Sequence, residues 1–78
     1  MTNPYTTLDL RGYRCPVPVV KAESALRQAK PGTVFEILAD DPVAAVDLPH
    51  FCRAAGHNCI RLADRDNACV FKVTCGKE

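Results

Sequence analysis

Two prolines one residue apart, Pro16 and Pro18 in the run Gly-Tyr-Arg-Cys-Pro-Val-Pro, constrain this chain more than any other feature. Proline lacks an N–H and has a fixed φ. It is excluded from helix interiors but suits the first turn, where amides have no intrahelical acceptor. The residues beyond it carry a helical stripe. Val19, Ala22, Leu26 and Ala29 are apolar at helical spacing, while Lys21, Arg27 and Gln28 turn away. The spacing predicts a helix from Pro16 to Gln28, with Cys15 as its N-cap. Pro31-Gly32 then turns the chain.

The remaining elements follow from the same local rules. Thr7 to Leu10 alternate and predict a first strand, with Arg11 to Arg14 turning around Gly12. Thr33 to Ala39 is β-branched and aromatic, which predicts a second strand. Asp40-Asp41-Pro42 reads as a helix start, with Asp41 as the cap and the carboxylates at the positive helix end. The second helix is expected over Val43 to Ala55, with Leu48, Phe51, Cys52 and Ala55 facing the core. Pro49 predicts a kink or a break, and Gly56 the end. Asn58 to Ala63 reads as a third strand, Asp64 to Asn67 as a polar turn, and Ala68 to Thr74 as a fourth strand with Cys69, Phe71 and Val73 on one face. The short turn makes these two strands an antiparallel hairpin. Residues 1–6 and 76–78 are expected to be loose. The order βαβαββ predicts an α/β (α+β) two-layer sandwich: a four-stranded mixed sheet with two helices on one face.

Length and composition narrow the function. A 78-residue chain forms one domain and buries only about 60% of its unfolded surface. Chemistry is therefore expected at the surface, with a partner completing the walls. A net charge of +1 supplies no basic field, and three Phe, two Tyr and no Trp supply few stacking platforms, which argues against nucleic-acid binding. No segment approaches the roughly 20 apolar residues of a membrane span, and the N-terminal stretch lacks an apolar signal-peptide region. The expectation is a cytoplasmic protein with reduced thiols. The five cysteines, Cys15, Cys52, Cys59, Cys69 and Cys75, are odd in number and irregularly spaced, and neither His50 nor His57 sits at zinc-finger spacing from a pair. Neither a disulfide framework nor a metal site is expected.

Cys15 is the candidate catalytic residue. At a helix mouth its sulfur would meet the positive end of the dipole, which favours the nucleophilic thiolate. Gly12, Pro16, Val17 and Pro18 would position it, with the Val17 amide as the nearest free donor. Arg11 and Arg14 would add positive field, and Lys21 reads either as a solvated residue or as a contact for an acidic partner. The sequence places no histidine or carboxylate beside Cys15 as a general base. The competing reading makes Cys15 a small packing residue. Cys52 and Cys69 read as core residues, Cys59 as facing solvent, Cys75 as near a fraying end, and His57 as a polar cap.

Leu-Asp-Leu-Arg-Gly-Tyr-Arg-Cys-Pro-Val-Pro, a lysine soon after it, Pro-Gly before the second strand, Ala-Asp-Asp-Pro, Asp-Leu-Pro and Gly-His stand in a fixed order from Leu8 to His57. This pattern resembles the TusA family of sulfur-carrier proteins, also called SirA-like. The resemblance implies a βαβαββ sandwich and a CPxP cysteine, here Cys15, that accepts sulfane sulfur as a persulfide and passes it on. It implies a donor such as a cysteine desulfurase or rhodanese-like protein. The implied acceptor serves tRNA thiolation, molybdenum-cofactor assembly or sulfur oxidation. It implies no metal or organic cofactor. Val46 stands where the family often has arginine, and Tyr13 where leucine or methionine is common; Cys59, Cys69 and Cys75 lie outside the pattern. An exposed Cys59 or Cys75 would be able to resolve a Cys15 persulfide. The alternative function is a non-catalytic regulatory or interaction module on the same fold.

Overall fold

A computed structural model describes residues 5–76. Six elements follow in order: β1 (Tyr5–Asp9), α1 (Val17–Gln28), β2 (Val34–Ala39), α2 (Pro42–Ala54), β3 (Asn58–Arg65) and β4 (Ala68–Thr74). They form one four-stranded sheet in the order β1-β2-β4-β3. β1 runs parallel to β2, and β4 runs antiparallel to both β2 and β3. This is the mixed sheet that the βαβαββ order predicts.

Strand alternation decides which side is covered. Leu8, Phe35, Ile37, Ala39, Cys59, Phe71 and Val73 share one sheet face by register. Ala22 and Leu26 of α1 and Ala44, Leu48 and Cys52 of α2 join them in a single buried cluster. Both helices therefore lie on that face. Each buried Leu or Phe contributes about 1.5–3 kcal/mol relative to exposure. Glu36, Ile60 and Lys72 point to the opposite face, where Arg65 holds Glu36 through two contacts of 3.2 and 3.0 Å.

Several expectations need correction. Tyr5 and Thr6, expected to be loose, begin β1 and pair with Val34 and Phe35; residues 1–4 and 77–78 lie outside the described residues. β3 continues to Arg65, so the expected four-residue turn shrinks to Asp66 and Asn67. Both have positive φ, 52° and 65°, the primed geometry that matches strand twist. A register shift between Leu62 and Arg65 absorbs the extra length. α2 runs unbroken through Pro49. Fully buried Leu48 and Cys52 flank that position on the core face, and their packing outweighs one missing helical hydrogen bond. Ala55 is exposed rather than core-facing, because the helix closes there. Gly56, at φ 89°, donates to the Arg53 carbonyl, and the His57 amide donates to the Cys52 carbonyl at 2.8 Å.

The cysteines also move. Cys59 is buried, whereas Ile60 is half-exposed, so β3 has the opposite facing from the one its isoleucine and leucine suggest. Cys75 is buried as well. Its amide donates to the Thr33 carbonyl at 2.7 Å, which carries the β2–β4 pairing past both strand ends. Neither thiol is an exposed resolving group.

Candidate functional site

The site is built on the loop from β1 to α1. The Tyr13 amide donates to the Leu10 carbonyl at 3.3 Å, closing a turn whose third residue is Gly12 at φ 90°. That conformation costs a glycine nothing and strains any side chain. Parallel pairing brings the ends of β1 and β2 together, so the loop meets Asp40 and Asp41. The Gly12 amide donates to Asp40 Oδ1 at 3.0 Å, Arg14 Nη1 reaches the same oxygen at 3.3 Å, and the Cys15 amide donates to Asp41 Oδ2 at 2.9 Å. The Gly12 amide, and then Arg14, hold the Asp40 carboxyl below its usual range.

The helix entrance lies one residue later than expected. The N-cap of α1 is Pro16, not Cys15, and Val17 is its first residue. The Cys15–Pro16 peptide bond is cis. Pro18 falls at the second helical position and is buried, so its missing amide is one the helix leaves unpaired in any case. The Val17 amide donates to the Arg14 carbonyl at 2.9 Å, so it is occupied rather than free beside the sulfur.

Cys15 is exposed, and its surroundings are acidic. Its Sγ lies 3.5 Å from Oδ2 of Asp47, on α2. Partial desolvation raises the thiol pKa above its ordinary value, and the Asp47 hydrogen bond, the Asp47 charge and the Asp41 charge raise it further. The expected thiolate-favouring field is overturned. A helix terminus contributes about half an elementary charge, whereas each carboxylate carries a whole one. The two arginines do not redress the balance. Arg11 grips Asp9 through Nε and Nη2 at 2.9 and 2.7 Å, which lowers the Asp9 carboxyl to about 2, and Arg14 is engaged with Asp40. Lys21 places its Nζ 4.9 Å from the centroid of the Tyr13 ring, a cation–π contact.

Asp41 and Asp47 are the site residues that sequence reasoning missed. Asp41 stands at the N-cap of α2, where the sequence puts it, but its carboxylate makes no capping bond. It is buried and serves the Cys15 amide instead. Asp47 belongs to the Asp-Leu-Pro run of the sequence pattern, but nothing in residue order ties it to the sulfur, since only packing brings α2 beside the loop. The elements that carry the site also expose apolar residues: Tyr13 in the loop, Val17 and Val20 on α1, and Val43 and Val46 on α2, with Val46 at 70% exposure.

Other reactive groups stand apart. The thiols of Cys52 and Cys59 are both buried, and burial first, then Cys59, push Cys52 up to about 12. Cys69 is half-buried and its Sγ accepts a contact from Arg61 at 3.1 Å. His57 uses Nδ1 to accept the Gly76 amide at 2.8 Å, so its side chain ties down the segment after β4 rather than capping α2. Among the described residues no three His, Cys, Asp or Glu side chains gather as metal ligands, and no helix is long and apolar enough to cross a membrane.

Comparison with known proteins covers both sequence and fold. The family model described as sulfurtransferase TusA matches residues 6–75. A candidate sulfur carrier protein of Neisseria meningitidis serogroup A is 40% identical over 67 residues, covering 86% of this chain and 90% of its own length. The sulfur carrier protein TusA of Buchnera aphidicola is 34% identical over 73 residues, 94% of this chain and 92% of its own. The crystal structure of a SirA-like protein from Desulfitobacterium hafniense superposes with a TM-score of 0.79 at 25% identity, covering 92% of this chain and 99% of that one.

Proposed function

The chain belongs to the TusA sulfurtransferase family, and from that premise we propose that it carries sulfur as a persulfide on Cys15. One observation carries the reading: an exposed thiol on a loop held at its own amide by Asp41, inside the span that the family model matches. In the loading step the Cys15 thiolate attacks the terminal sulfur of a donor persulfide. The S–S bond of the donor breaks, the donor cysteine leaves as a thiolate, and Cys15 holds the new persulfide. Unloading is the same exchange with the acceptor as attacking group. The cargo is the sulfur itself, and the carrier needs no metal or organic cofactor. The donor is a cysteine desulfurase or a rhodanese-like protein. The acceptor belongs to tRNA thiolation, molybdenum-cofactor assembly or sulfur oxidation. A reducing cytoplasm suits the five free thiols. Gly12, Pro16 and Pro18 shape the loop, and Arg14 and Lys21 flank the approach.

Incubation with a cysteine desulfurase and cysteine, followed by intact mass measurement, tests this. The expected result is a gain of one sulfur atom that a reducing agent removes and that Cys15→Ser abolishes. No Cys15-dependent gain with either a desulfurase or a thiosulfate-charged rhodanese overturns it. The carboxylate of Asp47 3.5 Å from the sulfur favours a second reading, a module that docks without chemistry. Under that reading Cys15→Ser leaves cellular function intact.

A further inference from the structure

Cys15 has a carboxylate where a resting nucleophile would gain from a cation. Asp47 Oδ2 lies 3.5 Å from Sγ, and Asp41 approaches through the backbone amide. The cations of the neighbourhood are committed elsewhere: Arg11 to Asp9, Arg14 to Asp40, Lys21 to the Tyr13 ring. Among the described residues Asp47 forms no ion pair, and its hydrogen-bond partner is the Cys15 thiol. Val43, one turn earlier on α2, and Val46, its chain neighbour, are both exposed, so the carboxylate stands on an apolar stretch of its own helix, and Val17, two residues past Cys15, is exposed at the start of α1.

We propose that Cys15 and Asp47 form a latch: in the free protein the thiol donates its hydrogen to Asp47, and the sulfur becomes reactive when a partner protein sets a lysine or arginine against that carboxylate. This rests on the carrier reading and adds its regulation. The charge argument is direct. A cation at Asp47 takes over the carboxylate that the thiol occupied. The thiol proton passes to solvent, and the developing thiolate faces a neutralised pair instead of a bare negative charge. Asp41 remains tied to the Cys15 amide, so the loop keeps its place while the negative field at the sulfur weakens. The partner surface that fits is a basic side chain set among apolar ones, complementary to Asp47 and its valines. The device protects the carrier, because an ionised exposed thiol would react with any disulfide or oxidant it met.

The test uses the full chain and three methanethiosulfonate reagents of different charge, trimethylammonium-ethyl, methyl and sulfonatoethyl, with each rate divided by that of the same reagent with a small free thiol. In each reaction the Cys15 thiolate attacks the sulfenyl sulfur, the S–S bond breaks, and a sulfinate leaves with the electron pair. Peptide mapping reads the rate at Cys15 alone. The cationic reagent is expected to outpace the anionic one about tenfold at neutral pH, the equivalent of one pKa unit of interaction. Asp47→Asn should collapse that ratio towards one and speed the neutral reagent several-fold. Val46→Lys, at an exposed position that does not disturb packing, should also speed the neutral reagent by placing a cation beside Asp47. The latch is refuted by an unchanged neutral rate in both variants, or by equal charge selectivity with and without Asp47. These rates require no sulfur donor. Failure of desulfurase loading with the expected reagent rates removes the carrier reading alone, and successful loading with indifferent rates removes the latch alone.

Discussion

The backbone amide of Cys15 donates to Oδ2 of Asp41 at 2.9 Å across a sequence separation of 26 residues. A side chain at the head of α2 thus fixes the backbone of the reactive loop. The amide is not offered to the sulfur, and the carboxylate is not offered to its own helix. The arrangement couples the position of the nucleophile to the docking of α2, and Asp41 is buried while doing so.

Asp41→Ala should therefore cost more than a lost cap. It leaves the part-buried Cys15 amide without its acceptor, a penalty of about 1–3 kcal/mol. Urea unfolding should show the lower midpoint, and persulfide loading at fixed donor concentration should fall as well. Asp41→Asn retains an acceptor oxygen and should recover most of the stability. Equal midpoints for Asp41→Ala and the parent would show that the contact carries no weight.

Gly12 sits at φ 90° and donates its amide to Asp40. Open space surrounds the position of an added Cβ, so an alanine there meets no clash and suffers from conformation alone. Gly12→Ala should destabilise by about 1–2 kcal/mol, the cost of left-handed backbone for a residue with a side chain. The midpoint of unfolding reads this. A neutral result would mean that the turn re-forms in another geometry.

The buried thiol pair makes stability fall in alkali. Cys52 is pushed up to about 12 in the folded protein and titrates near its ordinary value of about 8.5 when unfolded. Below the unfolded value the thiol is neutral in both states and pH has no effect through it. Above that value the unfolded chain loses a proton that the folded chain keeps, so stability declines as pH rises towards 12. The slope from this group is at most about 1.4 kcal/mol per pH unit. Stability measured from pH 8 to 11 should fall less steeply in Cys52→Val than in the parent. Identical slopes would place the alkaline sensitivity elsewhere.

Pro49 deprives the middle of α2 of one backbone donor, yet the helix is continuous. Its amide would have bonded to the carbonyl four residues earlier, at Ala45. Pro49→Ala should restore that bond and stabilise by about 1–3 kcal/mol, up to the cost of proline in a helix interior. Thermal and urea midpoints should both rise. A drop would show that the proline ring makes packing contacts worth more than the hydrogen bond.

The elements of this protein were legible from residue order because their causes are local. Prolines at Pro16, Pro18 and Pro42 start helices, Gly56 stops one, and alternation in β2 and β4 assigns a face to each side chain. The motif around Cys15 and its family were legible for the same reason, as was the exposure of the loop. Tertiary structure alone decided the character of the sulfur. Asp47 lies 32 residues away and reaches Sγ only because α2 packs beside α1 on one sheet face. It likewise decided that Cys59 turns inward, since β3 takes its facing from pairing with β4 and not from its own alternation. Charge acts through space while motifs act along the chain. The residues nearest Cys15 in sequence suggested a positive field, and the residues nearest in space made it negative.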